Sequence, residues 1–152
     1  MKRHRVGSRI CMAAVFALVA AAPVARGACN VNAPEGWSQA ATRWDGDCVD
    51  GFANGLGVLK ELDGRHVKRL FFGTVVGGEL QLGVIDQADG YVAGRFAKGS
   101  LIPSDDRQTF ISAFAEGEKA ADSAARRYRQ AGNKASAKFY QDKAKALREQ
   151  MD

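Results

Sequence analysis

Five turn doublets punctuate the middle of this chain at short, similar intervals: Asp50-Gly51, Asp63-Gly64, Gly77-Gly78, Asp89-Gly90 and, more weakly, Lys98-Gly99. Asp-Gly and Gly-Gly supply the positive φ that two-residue hairpin loops require. The runs between them, Phe52 to Leu62, His66 to Val76 and Glu79 to Gln87, have strand character. In the last of these Leu80, Leu82 and Val84 alternate with Gln81 and Gly83, a period of two that turns one face inward. A meander of β-hairpins is predicted. Thirteen glycines fall between residues 28 and 103, against two from 104 to the end.

Residues 104–152 contain no proline and are rich in Ala, Lys, Arg, Glu and Gln, which predicts helix. Ser104 is the expected N-cap, with Asp105 and Asp106 in the first turn where the helix dipole favours acids. Phe110, Phe114, Ala121, Ala125 and Tyr128 can share one face, and Ala137, Tyr140, Ala144, Leu147 and Met151 mark a second helix after a break at Gly132-Asn133. The alternative is one long helix, since a lone glycine costs only about 1 kcal/mol. The fold class expected is α+β: a β-hairpin module over 28–103, then a helical hairpin or long helix over 104–152.

The hairpins also repeat. Trp44-Asp45-Gly46-Asp47-Cys48-Val49-Asp50-Gly51 compares with Phe71-Phe72-Gly73-Thr74-Val75-Val76-Gly77-Gly78, and Gly94-Arg95-Phe96-Ala97-Lys98-Gly99 keeps the glycine spacing. In that third copy Tyr91 stands one residue upstream of the position matching Trp44. The leading glycines Gly46, Gly73 and Gly94 are 27 and 21 residues apart, a period that marks stacked supersecondary units. Early glycines leave room for neighbouring hairpins to approach, with the aromatic lying over the gap. Trp44-x-Gly46-x-x-x-x-Gly51-x-x-x-Gly55-x-Gly57 resembles the MORN repeat (membrane occupation and recognition nexus), with Trp in the usual Tyr position. The second copy keeps only Gly83 in its returning strand, and the third ends soon after Gly99. The resemblance implies a twisted run of hairpins and contact with proteins or lipid, and no catalysis. Ala125, Tyr128, Ala137 and Ala144 further resemble part of a tetratricopeptide repeat, and one such repeat is not stable alone.

Upstream, Lys2, Arg3, Arg5 and Arg9 are followed by thirteen uncharged residues, Ile10 to Ala22, then Pro23 and the small-residue stretch Ala25-Arg26-Gly27. That order predicts a signal peptide over residues 1–27 cut before Ala28, and hence a periplasmic or secreted protein. Thirteen residues fall short of the roughly 20 a membrane-spanning helix needs. Lipidation at Cys29 wants an apolar residue three positions earlier, where Arg26 stands. Cys11 leaves with the signal, so Cys29 and Cys48 are expected to form a disulfide; two separately buried thiols are the alternative.

Five of the 22 basic residues also lie in the signal, leaving 17 against 17 acids, and this balance disfavours nucleic acid as a partner. Residues 28–152 hold one histidine, His66, beside Arg65 and Lys68, so no histidine pair is available for a metal. Asp45-x-Asp47-x-x-Asp50-Gly51 has acids clustered as hard cations want them, but not at EF-hand spacing and without the closing bidentate acid. Turn roles are expected for these aspartates. Glu116 and Glu118 fall on different helix faces. No cofactor, metal or catalytic residue is predicted. Trp37, Trp44, Phe72 and Tyr91, with Phe71, are either core or an aromatic face for a partner. The expected function is an exported, non-catalytic protein-interaction or scaffolding module of a cell envelope. The alternative is a secreted or peripheral factor binding membrane lipid or a host component, for which Arg126, Arg127 and Arg129 beside Tyr128 offer a cationic face.

Overall fold

The computed structural model describes residues 28–152; the predicted signal segment, with Cys11, lies outside them. Strands β1 (Thr42–Val49), β2 (Phe52–Asp63), β3 (His66–Val76), β4 (Glu79–Gln87), β5 (Gly90–Ala97) and β6 (Ser100–Leu101) form one antiparallel sheet in sequence order. Helices α1 (Arg107–Gln130) and α2 (Lys134–Arg148) follow and pack together. The α+β meander with a helical hairpin is therefore the architecture of the chain.

Three of the five doublets are the two-residue loops themselves. Val49 pairs with Phe52 across Asp50-Gly51, Val76 with Glu79 across Gly77-Gly78, and Ala97 with Ser100 across Lys98-Gly99. Both central residues of each loop have positive φ, as the right-handed twist of the strands demands. The other two are displaced by one residue. Asp63 pairs with His66, so the loop is Gly64-Arg65; Gln87 pairs with Gly90, so the loop is Ala88-Asp89.

Glycines also cross the sheet in a row. Gly57 pairs with Gly73, Gly73 with Gly83, and Gly83 with Gly94. Phe71 lies over the middle of this row and Trp44 over its β1 end: a Cβ at Gly83 would meet Phe71 Cζ at 2.8 Å, and one at Gly46 would meet the Trp44 ring at 2.5 Å.

The sheet is covered on both sides. On one face Val58, Phe72 and Val84 pack under Ala120, Ala121 and Ala124 of α1 and Tyr140 and Leu147 of α2. Small residues dominate the inner face of α1, and Gly117 lets the helix backbone approach Val84. On the other face Leu59, Phe71, Leu80 and Phe96 pack with Val31, Trp37 and Trp44. Residues 30–35 form a strap there across the hairpin tips. Asn30 donates its N–H to the Gly51 carbonyl (2.8 Å), Asn32 to Gly78 (2.8 Å) and Glu35 to Gly99 (2.9 Å).

Asp106, not Ser104, caps α1. Its carboxylate accepts from the N–H groups of Gln108 (3.1 Å) and Thr109 (3.0 Å), satisfying two orphan donors, whereas the Ser104 hydroxyl accepts from Asp106 itself (3.2 Å). Both acids thus precede the first turn. Phe110 is exposed, and Met151 lies beyond the end of α2. The helices are two, because Gly132 takes φ +78° and Asn133 caps α2 through Ser136 N–H (3.0 Å).

Cys29 and Cys48 form a disulfide with Cα atoms 5.7 Å apart, so the Cys29 sulfur is not free for a lipid. The bridge pins the start of the strap to β1. Closing a loop of this length is worth about 3 kcal/mol in the chain-entropy model. Cys29→Ser/Cys48→Ser is expected to lower the urea midpoint to that extent, and superimposable unfolding curves for the two proteins would remove the bridge from the stability argument.

Candidate functional site

The largest concentration of interacting polar side chains lies where β1, β2, α1 and α2 meet. Asp45, on the face of β1 turned toward the helices, receives Lys60 from β2 (3.2 Å) and Arg127 from α1 (3.1 Å). Arg127 also donates to the Asp45 carbonyl (2.7 Å) and to Ser123 Oγ (2.8 Å). Lys60 donates to the Tyr128 hydroxyl (2.8 Å) and lies 5.2 Å from the Tyr128 ring centroid and 5.5 Å from that of Tyr140. The two tyrosines stack at 5.4 Å.

Burial works against the charge of both Asp45 and Lys60, but their partners outweigh it. The Tyr128 hydroxyl, Lys60 and Arg127 hold the Asp45 carboxyl below its usual range. Tyr128, Tyr140 and Asp45 hold the Lys60 ammonium above the usual lysine range. The cluster ties sheet to helices. Half-open hollows of 740 and 380 Å³ flank it at the β1 edge, lined among others by Cys29, Gly46, Asp47 and Arg127.

A second cluster anchors the strap. Glu61, 3% exposed, accepts from Arg69 Nε and Nη2 (2.9 Å for the latter) and from Ser38 N–H (3.1 Å). Arg69 donates in turn to the Gly36 carbonyl (2.9 Å) and stands 5.0 Å over the Trp37 ring. The Arg69 hydrogen bonds hold the Glu61 carboxyl below the usual glutamate range.

The aromatics singled out in the sequence go to different places. Phe72 is fully buried beneath the helices, 6.3 Å from Tyr140, and offers nothing to a partner. Trp44 and Trp37 are half-buried in the strap-side core. Tyr91 is not the counterpart of Trp44. It packs edge-on to Phe114 of α1 (5.7 Å), while its neighbour Val92 joins the strap side with Trp44 and Phe71, since a one-residue step along a strand reverses the face.

The predicted Arg126–Tyr128–Arg129 surface also divides. Tyr128 and Arg127 turn inward to Lys60 and Asp45, and only Arg126 and Arg129 stay exposed. Among the aspartates Asp45 is claimed by cations, Asp47 gives its carbonyl to Trp44 Nε1 (3.0 Å), and Asp50 takes the turn at φ +49°. Among the described residues no group of three or more His, Cys, Asp or Glu side chains is placed to hold a metal. His66 is exposed at the start of β3. Glu116 accepts from Thr74 and Lys119, and Glu118 from Arg148, so the two do not pair.

The large exposed apolar side chains are the remaining feature. Val49 (53%), Phe52 (46%) and Val76 (54%) sit at the end of the sheet that carries the 50–51 and 77–78 turns, while Val67, Leu101, Ile102, Phe110 and Phe139 are exposed elsewhere on the molecule. Among the described residues no helix is long and apolar enough to cross a membrane. Comparison of the chain with protein-family models, curated proteins and solved structures finds no match.

Proposed function

We propose that this chain is an exported, non-catalytic module, built on a degenerate MORN-like array, that binds another protein through the hairpin-tip end of its sheet. The glycine row under Trp44 and Phe71 supports the repeat reading, since Gly46, Gly73 and Gly94 occupy alternate strands and Gly57 and Gly83 return between them. The Cys29–Cys48 bridge supports an oxidising compartment, and with the signal-like start it favours the periplasm or the extracellular space.

The observation that carries the binding reading is how the side chains are distributed. Helices and strap occupy both sheet faces, and the buried charges are consumed in ties between elements. Val49, Phe52 and Val76 nonetheless remain about half exposed together at one end. Clustered apolar exposure of this kind marks interaction sites on folded proteins.

A photo-crosslinking amino acid at Phe52, in cells expressing the full chain, is expected to give one discrete protein adduct. The same probe at exposed His66, at the other end of β3, is expected to give none, and Val76→Asp should abolish the Phe52 adduct. Equal adducts at both positions, or none at either, would overturn the reading.

A further inference from the structure

We propose that the outer face of the α1–α2 hairpin is a docking surface for an anionic lipid bilayer. This goes beyond the protein-binding reading and concerns a different face. The balanced charge of residues 28–152 conceals a segregation: positions 126–148 carry eight basic residues and one acid, and the remainder carries nine basic residues and 16 acids.

Two of the eight cations are spent inward, Arg127 on Asp45 and Lys143 on Asp86, and a third, Arg148, is itself exposed but held by Glu118. The other five, Arg126, Arg129, Lys134, Lys138 and Lys145, are all exposed. Lys134, Lys138 and Lys145 stand at i, i+4 and i+11, one stripe along α2. Gln141 continues that stripe at i+7 and accepts from Arg129 (3.5 Å), which sets the α1 cations beside it. Asp142 and Glu149 pair with Lys138 and Lys145, but between side chains 57–76% exposed, where such pairs are screened and weak. Arg126, Arg129 and Lys134 make no ion pair among the described residues.

The sign of this face demands an anionic partner, and its shape selects among them. From Lys134 to Lys145 the stripe runs about 16 Å at the α-helical rise. It is the convex outside of two packed helices, and the hollows beside β1 are lined by other residues. Point charges on long lysine stems over a convex row suit headgroups that move laterally to meet them. Bidentate arginines converging in a groove would suit a carboxylate or phosphate held in place. Apart from the isolated exposed side chains Phe110 on α1 and Phe139 on α2, the apolar residues of both helices are spent on the sheet and on each other, so no continuous apolar helix face is left to insert. Binding is therefore electrostatic, reversible and lost as salt shortens the screening length.

Co-sedimentation of the purified protein with phosphatidylcholine vesicles containing phosphatidylglycerol, at low ionic strength, tests this. Each cation removed from the stripe is expected to weaken binding about fivefold, so Lys134→Gln/Lys138→Gln/Lys145→Gln should lose about 100-fold. These side chains are exposed, and an unchanged circular dichroism spectrum checks that the variant is folded. The control Arg65→Gln/Lys68→Gln/Arg95→Gln removes the same charge from exposed positions of β3, β5 and a hairpin loop and should bind within about twofold of the unaltered protein. Three results would overturn the proposal: no sedimentation of the unaltered protein, equal loss in both triple variants, or retention on polyglutamate without vesicle binding. The last would assign the face to an acidic protein instead.

Discussion

Gly73→Ala is expected to destabilise the protein by about 3 kcal/mol, an effect matched by Gly83→Ala on the facing strand, where an added methyl group meets backbone equally closely. Gly73 sits mid-strand in β3, paired with Gly57 on one side and Gly83 on the other. A Cβ there would fall on the Leu82 carbonyl oxygen, 2.7 Å from Phe71 Cζ and 2.8 Å from the Gly83 Cα. Two of those three obstacles are backbone of β4, so relief requires moving a strand that is hydrogen-bonded on both sides and buried on both faces. The lower unfolded-state entropy of alanine returns only about 0.5–1 kcal/mol.

Gly46→Ala would first meet the Trp44 ring, from 2.5 Å, and a half-buried side chain can swing aside. Its cost should be clearly smaller. Gly64→Ala meets no atom within 4 Å and pays only for φ +59°, about 1 kcal/mol. Urea midpoints should rank Gly64→Ala and Gly46→Ala above Gly73→Ala and Gly83→Ala. A Gly73→Ala protein unfolding with the unaltered one would show that the cross-strand glycines are not there for space. The double variant Gly73→Ala/Gly83→Ala should be less than additive, because both methyl groups demand the same gap.

The hairpins were legible in the sequence because their cause is local. A doublet such as Gly77-Gly78 fixes φ at two residues, and flanking residues with strand propensity do the rest. Where a step of one residue matters, local reasoning fails: the loop at 64–65, the α1 cap at Asp106 and the face of Tyr91 all differ by one or two positions from the sequence expectation. Side-chain partners many residues away were not legible at all. Arg127 reaches Asp45 across 82 residues, and no spacing rule links them. Arg69 stands directly opposite Glu61 across the β2–β3 hairpin, but the displaced loop and the irregularity at Glu61/Leu62 shift that register away from simple counting. The strap is hidden for a different reason. It is held by backbone N–H groups of Asn30, Asn32 and Glu35, which any residue but proline could supply. Net charge hides the pattern by averaging, since a balance of zero over residues 28–152 conceals a helical hairpin that is cationic outside.

Glu61→Gln is expected to cost about 2–3 kcal/mol at neutral pH and almost nothing in strong acid. Removing one partner of a buried ion pair costs more than the pair's net worth, because the other charge is left uncompensated. Arg69 is partly exposed and can recover some hydration, which places the cost at the lower end. The carboxyl of Glu61 titrates below its ordinary 4.5, and that of Asp45 below 3.8. A depressed folded-state pKa contributes stability that is complete above the unfolded value and lost as pH falls through the folded one. The unaltered protein should therefore weaken progressively below about pH 4.5, with Glu61 and Asp45 both contributing. Lys60 behaves oppositely. Its raised pKa contributes below the unfolded value of 10.5 and is lost only as pH rises beyond it, so it leaves the acid limb untouched. Urea midpoints of the unaltered and Glu61→Gln proteins should thus be well separated at neutral pH and converge as Glu61 protonates. A separation that persists unchanged into acid would mean that shape, not charge, fixes Glu61 beneath the strap.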